Sequence, residues 1–196
     1  MSFEVVIMDK YIEELKRRER QSIIEVMAFM SYNPSIGRVL KKRGVKVFQD
    51  MAIKKVRALK KIKTKKGFDK FHKNWVSEFI KKIKTNKNRK CSYGQAQKAI
   101  NVFLKLFVDW ARLPDKKTAK EILPFLHVPL DSILMKAVSK KYKEFYKEKI
   151  KRLQTYNRSF NLSQVDESIY TEWQKFFREK YRKKPLLFDV IWAMNR

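Results

Sequence analysis

The chain has 196 residues, of which 44% are hydrophobic and 13% aromatic, enough apolar material for one folded domain and too much for a disordered tail. Its 48 lysines and arginines face 20 acids, a formal net charge of +28. That imbalance argues against thermophilic enrichment, which raises Glu together with Lys, and calls for a polyanionic partner, nucleic acid first.

One cysteine, Cys91, excludes internal disulfides and zinc clusters of several thiolates. His72 and His127 lie far apart in sequence, so no metal and no cofactor are expected. No stretch approaches the ~18 apolar residues of a membrane span. The first residues carry Glu4 and Asp9, with no basic start or cleavage motif. The expectation is an intracellular monomer in cytoplasm or nucleoid, with no membrane partner.

In chain order, FEVVIM at 3–8 is compatible with an extended segment, although one strand makes no sheet. Ile12, Leu15, Ile23, Ile24, Met27 and Met30 then recur at an approximate helical period, and Pro34 in NPSIG is expected to stop that helix. Val45, Phe48, Ala52, Val56 and Leu59 mark a second helix with a lysine-rich outer face, ended by TKKG at 64–67. Phe68, Phe71, Trp75, Phe79 and Ile83 mark a third. KTNKNRKC is a basic loop. Residues 54–90 hold sixteen basic and two acidic side chains, +14 of the chain's +28, an asymmetry that a nucleic-acid-facing surface explains.

Ser92 and Gln95 form an S-x-x-Q capping box opening a helix that should bury Ala96, Ile100, Phe103, Leu104, Phe107 and Ala111. TAKE at 118–121 reads as another capping box. Pro124 and Pro129 bracket a rigid connection, PFLHVP, after which Asp131 caps SILMKAVSKKYKEFY, with Leu130 and Met135 placed as a hydrophobic staple. QTYNRSFNLS is a loop, Ser163 or Asp166 caps SIYTEWQKFFREKY, and Pro185 starts a last short helix, LLFDVIWAM. The fold class is all-α: seven or eight helices in a compact array around the one beginning at Ser92. One α-helical domain spans 1–196, with room for two lobes about a cleft.

Glycine-rich phosphate loops, a G-x-S-x-G elbow and clustered carboxylates for two-metal chemistry are absent. Lysine chemistry is what the inventory leaves. Lys98 lies on the helix face opposite Ala96, with Gln95, Asn101, Val102 and Lys105. Taken singly, Lys98 is one more solvated lysine and Asp131 a helix cap. Reading the two together as a catalytic pair rests on a resemblance carried by the segments around them.

YGQAQKAIN followed by HVPLDSIL resembles the helix-hairpin-helix DNA glycosylase superfamily over residues 90–140. The 33-residue Lys–Asp separation is similar to that of archaeal 8-oxoguanine glycosylases. The pair of segments is also similar to G-x-A-Q-K and H-x-P-x-D segments in a group of bacterial proteins. The glycosylase resemblance implies a helix-hairpin-helix fold, Lys98 as nucleophile, and Asp131 of the VP-x-D segment as cap and catalytic carboxylate. It puts Gly94 at the hairpin turn, where Gly94 and Gln95 would contact the DNA backbone. It implies base excision from double-stranded DNA, carried out by a hydrolase and lyase acting through a Schiff base on an extruded nucleotide. Aromatic faces that could hold the base are His127, Phe125, Trp110, Tyr93 and Trp173, with core packing as the alternative for each. Lys87, Arg89, Lys90, Lys116 and Lys117 are the expected phosphate contacts. Two other functions fit the charge: a non-catalytic nucleic-acid-binding protein, such as an accessory factor or repressor, and an RNA-binding or RNA-processing helical protein.

Overall fold

The computed structural model describes residues 3–153, 160–190 and 194. The described residues are all-α, with helices α1 Phe3–Ile36, α2 Gly44–Leu59, α3 Lys65–Lys82 and α4 Tyr93–Leu104 in the first half. The second half holds α5 Lys116–Ile122, α6 Ser132–Lys141, the short α7 Lys143–Phe145 and α8 Glu167–Lys180. Among the described residues there is no strand, only isolated antiparallel bridges of Leu40 with Thr85 and Lys84 with Lys90.

Several boundaries differ from those expected. FEVVIM is helical, because α1 begins at Phe3. Pro34 lies inside α1 instead of ending it. It comes so near the C-terminus that the missing N–H costs one bond to Met30, and Tyr32 and Ile36 are both buried in the core. The helix closes two residues later, where the Gly37 N–H donates to Tyr32 O at 2.8 Å. TKKG starts α3 and does not end α2, which closes at Leu59: Thr64 is the N-cap of α3, accepting from the Gly67 N–H at 3.1 Å. Asp115, not Thr118, caps α5, because its carboxylate accepts from both the Thr118 N–H and hydroxyl at 2.9 Å. The helix after Asp131 breaks at Tyr142. Asp166 caps α8, accepting from the Ile169 N–H at 2.9 Å. A 3-10 turn at Pro185–Asp189 stands where a helix was expected. Residues 154–159 of the expected loop and 191–193 of the expected last helix lie outside the described residues.

Core burial organises two clusters. The larger joins α1 to α5 and contains Tyr32, Phe48, Phe68, Trp75, Phe79 and Phe103. The smaller joins α6, α8 and the segment before α6, with Val128, Leu130, Tyr170, Trp173 and Phe177. Tyr93 and Leu162 pack against both. Nine of the twelve residues of α4 are buried, so α4 is the central helix and not a surface element with one apolar stripe. It continues into a π-helical turn, Lys105–Trp110, in which the Ala111 N–H reaches back five residues to Leu106 O at 3.0 Å. The turn rotates Ala111 out to solvent, where a regular helix would have buried it.

Candidate functional site

The Ser92–Gln95 capping box is present in both directions, with Gln95 N–H to Ser92 Oγ at 3.1 Å and Ser92 N–H to Gln95 Oε1 at 2.9 Å. It fixes where α4 starts, and therefore which side chains face residues 128–131. Those residues are extended and carry no backbone ladder. Three buried carboxamides supply it instead. Gln174 bonds both the N–H and the C=O of Val128, each at 2.9 Å. Gln97 donates to Leu130 O at 3.2 Å and accepts from Leu130 N–H at 3.3 Å. Asn101 reaches Val128 O at 3.2 Å. A carboxamide offers one acceptor and a donor pair side by side, which matches the polar groups of an extended residue.

This grip delivers Asp131 to Lys98. Lys98 Nζ stands 3.4 Å from Asp131 Oδ2, with the two side chains 15% and 9% exposed. Asp131 Oδ1 accepts from the Leu134 N–H at 2.8 Å, so one carboxylate both caps α6 and faces the lysine. Seven residues beyond Lys98, on the same face and at the start of the π-helical turn, Lys105 pairs with Asp189, a partially buried carboxylate on the 3-10 turn. Burial pushes the Asp189 carboxyl above its usual range, the Lys105 ammonium opposes that, and Asp131 and Lys98 are close enough to contribute. Lys105 Nζ also lies 4.9 Å from the ring centroid of Trp110, which is 65% exposed at the rim. The site is thus two Lys–Asp pairs on one face, edged by an aromatic ring, with Lys105 and Trp110 at the two ends of the π-helical turn.

Behind it runs a buried polar relay. The Asp69 carboxylate can only accept, so His127 Nε2–H donates to it at 2.9 Å and His127 Nδ1 accepts from the Tyr170 hydroxyl at 2.6 Å. Tyr170 O in turn accepts from Asn101 Nδ2 at 2.9 Å, and His72 Nε2–H donates to Asn101 Oδ1 at 2.7 Å. Burial pushes the His127 imidazole down to about 4, partly opposed by Asp69, and pushes His72 well below its ordinary value. Burial also raises the Asp69 carboxyl, but His127, Lys65 and Arg178 outweigh it and leave it well below the usual carboxylate range.

The other expected site residues divide. Trp110 is beside the paired charges. His127 is 6% exposed with both ring nitrogens bonded, so it serves the relay and has no face free for a base. Trp173 is 1% exposed among Phe145, Phe176 and Phe177, a core residue, because its face of α8 packs on α7. Tyr93 is half-buried against Tyr170, with ring centroids 5.1 Å apart. Phe125 lines a separate basic groove with Lys65, Lys175, Arg178 and Arg182. Gly94 is not a phosphate-binding turn. Its N–H donates to Val165 O at 2.8 Å, and a Cβ there would lie 2.4 Å from Leu162 O. Gln95 is spent on the capping box and is 7% exposed. Lys87, Arg89 and Lys90 are exposed on the turn between α3 and α4, where Asn88 takes the left-handed φ of 60°. Lys116 and Lys117 are exposed at the start of α5.

Asp189 and Gln174 escaped the sequence reading. Lys105 shares a helix face with Lys98, but nothing local ties either glutamine or Asp189 to Asp131. Among the described residues no group of three or more His, Cys, Asp or Glu stands together to hold a metal, and no helix is long and apolar enough to cross a membrane. In comparison with known proteins, no family model, curated protein or solved structure matches the chain.

Proposed function

We propose that the protein is a DNA glycosylase with AP-lyase activity, excising a damaged or modified base through Lys98 and Asp131. The observation that carries this reading is the 3.4 Å approach of Lys98 to an aspartate whose other oxygen caps the next helix. That double role is what the glycosylase resemblance implies for Asp131. The exposed basic turn at 84–90 and the net charge of +28 supply a surface for the DNA backbone. Trp110 supplies an aromatic face at the rim for an extruded base.

The chemistry follows from the pair. Asp131 accepts a proton from the Lys98 ammonium, freeing the nitrogen lone pair. Nζ bonds to C1′ of the sugar as the C1′–N bond breaks, its electrons leaving with the base, which takes the proton held by Asp131. Nζ then loses a proton to the carboxylate. The C1′–O4′ bond opens, O4′ takes up that proton, and a protonated Schiff base joins Nζ to C1′. Loss of a C2′ proton expels the 3′ phosphate, and water hydrolyses the imine to regenerate the lysine.

The test is borohydride trapping on duplexes carrying an abasic site and a panel of modified bases. Wild-type protein is expected to form a covalent adduct, Lys98→Gln to form none, and Asp131→Asn to trap roughly a hundred-fold more slowly or worse. A Lys98→Gln protein that traps and cleaves like wild type overturns the assignment. Tight binding with no adduct on any substrate overturns it in favour of a non-catalytic nucleic-acid-binding protein, which the same exposed basic surface supports.

A further inference from the structure

Helix α1 is apolar on two faces. Ile24, Met27, Ala28 and Tyr32 face the core. On the other side Tyr11, Ile12, Leu15, Ile23, Val26, Phe29 and Met30 are all exposed, from 37% to 67%. At about 100° per residue these seven fall within about 120° of arc, centred nearly opposite the core-facing residues. They make an apolar stripe about 28 Å long, at about 1.5 Å per residue, interrupted at its middle by Glu19 and Ser22. Half of the exposed large hydrophobic side chains among the described residues lie on it. A stripe of this size marks a surface for another molecule.

Its charge decides the occupant. Most of the chain's surface would repel a second copy, at +28 overall. Residues 10–30 carry five basic and four acidic side chains, a net of +1, so here two copies can approach without that repulsion. The spacing is also self-complementary. Ile12, Leu15, Glu19, Ser22, Val26 and Phe29 alternate by three and four residues, the seam of a two-stranded coiled coil. Turning the helix end for end about a point between Arg20 and Gln21 sets Ile12 against Phe29, Leu15 against Val26 and Tyr11 against Met30. The same turn sets Glu19 against Ser22, an acceptor against a hydroxyl donor. Arg18, which in the single chain pairs with Glu14 at 3.1 Å, comes alongside Glu25, whose carboxylate there meets Lys46 at 3.4 Å and the Gln21 amide at 3.3 Å.

We infer that this face is a homodimer interface: a second copy of the chain packs its α1 antiparallel on the first, through the stripe from Tyr11 to Met30. The dimer replaces the monomer expected from the sequence. It is isologous, so every contact occurs twice. It leaves the basic turn at 84–90 and the Lys98–Asp131 pair off the interface, and it does not depend on the proposed activity.

Sedimentation equilibrium of the full chain, freed of nucleic acid by nuclease and high salt, tests it. Wild type is expected to be dimeric at micromolar concentration. Leu15→Glu with Val26→Glu should be monomeric with unchanged far-ultraviolet circular dichroism. Arg18→Glu or Glu25→Arg alone should weaken the dimer about ten-fold, and the two together should restore it. Oxidative cross-linking fixes the direction. A chain with both Leu15→Cys and Val26→Cys should cross-link between copies, whereas Leu15→Cys alone should not, since antiparallel copies hold those positions about 16 Å apart. Wild type that sediments as a monomer up to its solubility limit overturns the inference, and so does cross-linking by Leu15→Cys alone.

Discussion

Asp131 spends its two oxygens on different partners, one on the Leu134 N–H and one on Lys98. A substitution there therefore has separable consequences: asparagine keeps a cap acceptor and removes the charge, while alanine removes both. Gly94 is needed for close approach and not for an unusual backbone angle, since none of the described glycines has positive φ. His72 and His127 give a prediction at this scale. Both are held neutral in the fold by burial, with His127 at about 4, while in the unfolded chain each titrates near 6.5. Below about 6.5 the unfolded state binds more protons, so stability is present above that pH and falls as pH drops towards about 4. The loss should reach about 1.4 kcal/mol per pH unit for each histidine. Urea midpoints measured at about pH 7 and about pH 5 check it, and midpoints that do not move would refute neutral buried histidines.

At the scale of elements, the start of α4 was legible because its determinants are local. Ser92 and Gln95 are three residues apart and each bonds the other's backbone. The cap at Asp131 was legible for the same reason, whereas the cap of α8 stayed open between Ser163 and Asp166 until the structure showed Asp166. Pro34 misled because the rule about proline ignores what is buried beyond it, here Ile36. TAKE misled because two residue patterns competed for one helix start, and Asp115 takes both the N–H and hydroxyl of Thr118. The extended segment before α6 depends on α8 through Gln174, 46 residues from Val128. Gln174→Leu is expected to cost about 1–3 kcal/mol, because it leaves the Val128 N–H buried without an acceptor. Chemical denaturation reads the loss. Because the same segment carries Asp131, borohydride trapping should weaken in the variant as well.

At the scale of the whole molecule, charge is the dominant property. If the basic surface faces nucleic acid, affinity must fall steeply with salt, by about a thousand-fold or more between roughly 50 and 200 mM if six or more phosphates are neutralised. Fluorescence anisotropy with a labelled duplex measures the slope. Replacing Lys87, Arg89 and Lys90 with alanine should weaken binding to all sequences alike and reduce the log–log slope by about three, one for each phosphate no longer neutralised. Affinity that barely moves with salt would count against nucleic acid as the partner. The near-neutral α1 and the dense +14 of residues 54–90 give the chain two segments of very different charge.

The sequence alone determined the helical class, the start of the central helix, the cap that launches α6, and the location of the excess charge, and it left the cap of α8 between Ser163 and Asp166. Each follows from interactions within a few residues or from composition, which need no tertiary partner to be read. The pairing of Lys98 with Asp131 was an expectation on two motifs 33 residues apart, and only the packing of α4 against the carboxamide-gripped segment put 3.4 Å between them. The structure also decided what the motifs' remaining letters do. Gly94 admits the Leu162 carbonyl, Gln97 holds Leu130, and His127 joins a buried relay in place of facing a base. The second pair, Lys105 with Asp189, had no local trace at all, because its carboxylate arrives from a turn 84 residues away. Side chains that bond across such distances obey the geometry of the folded core, and no periodicity or spacing in the chain encodes where that core brings them.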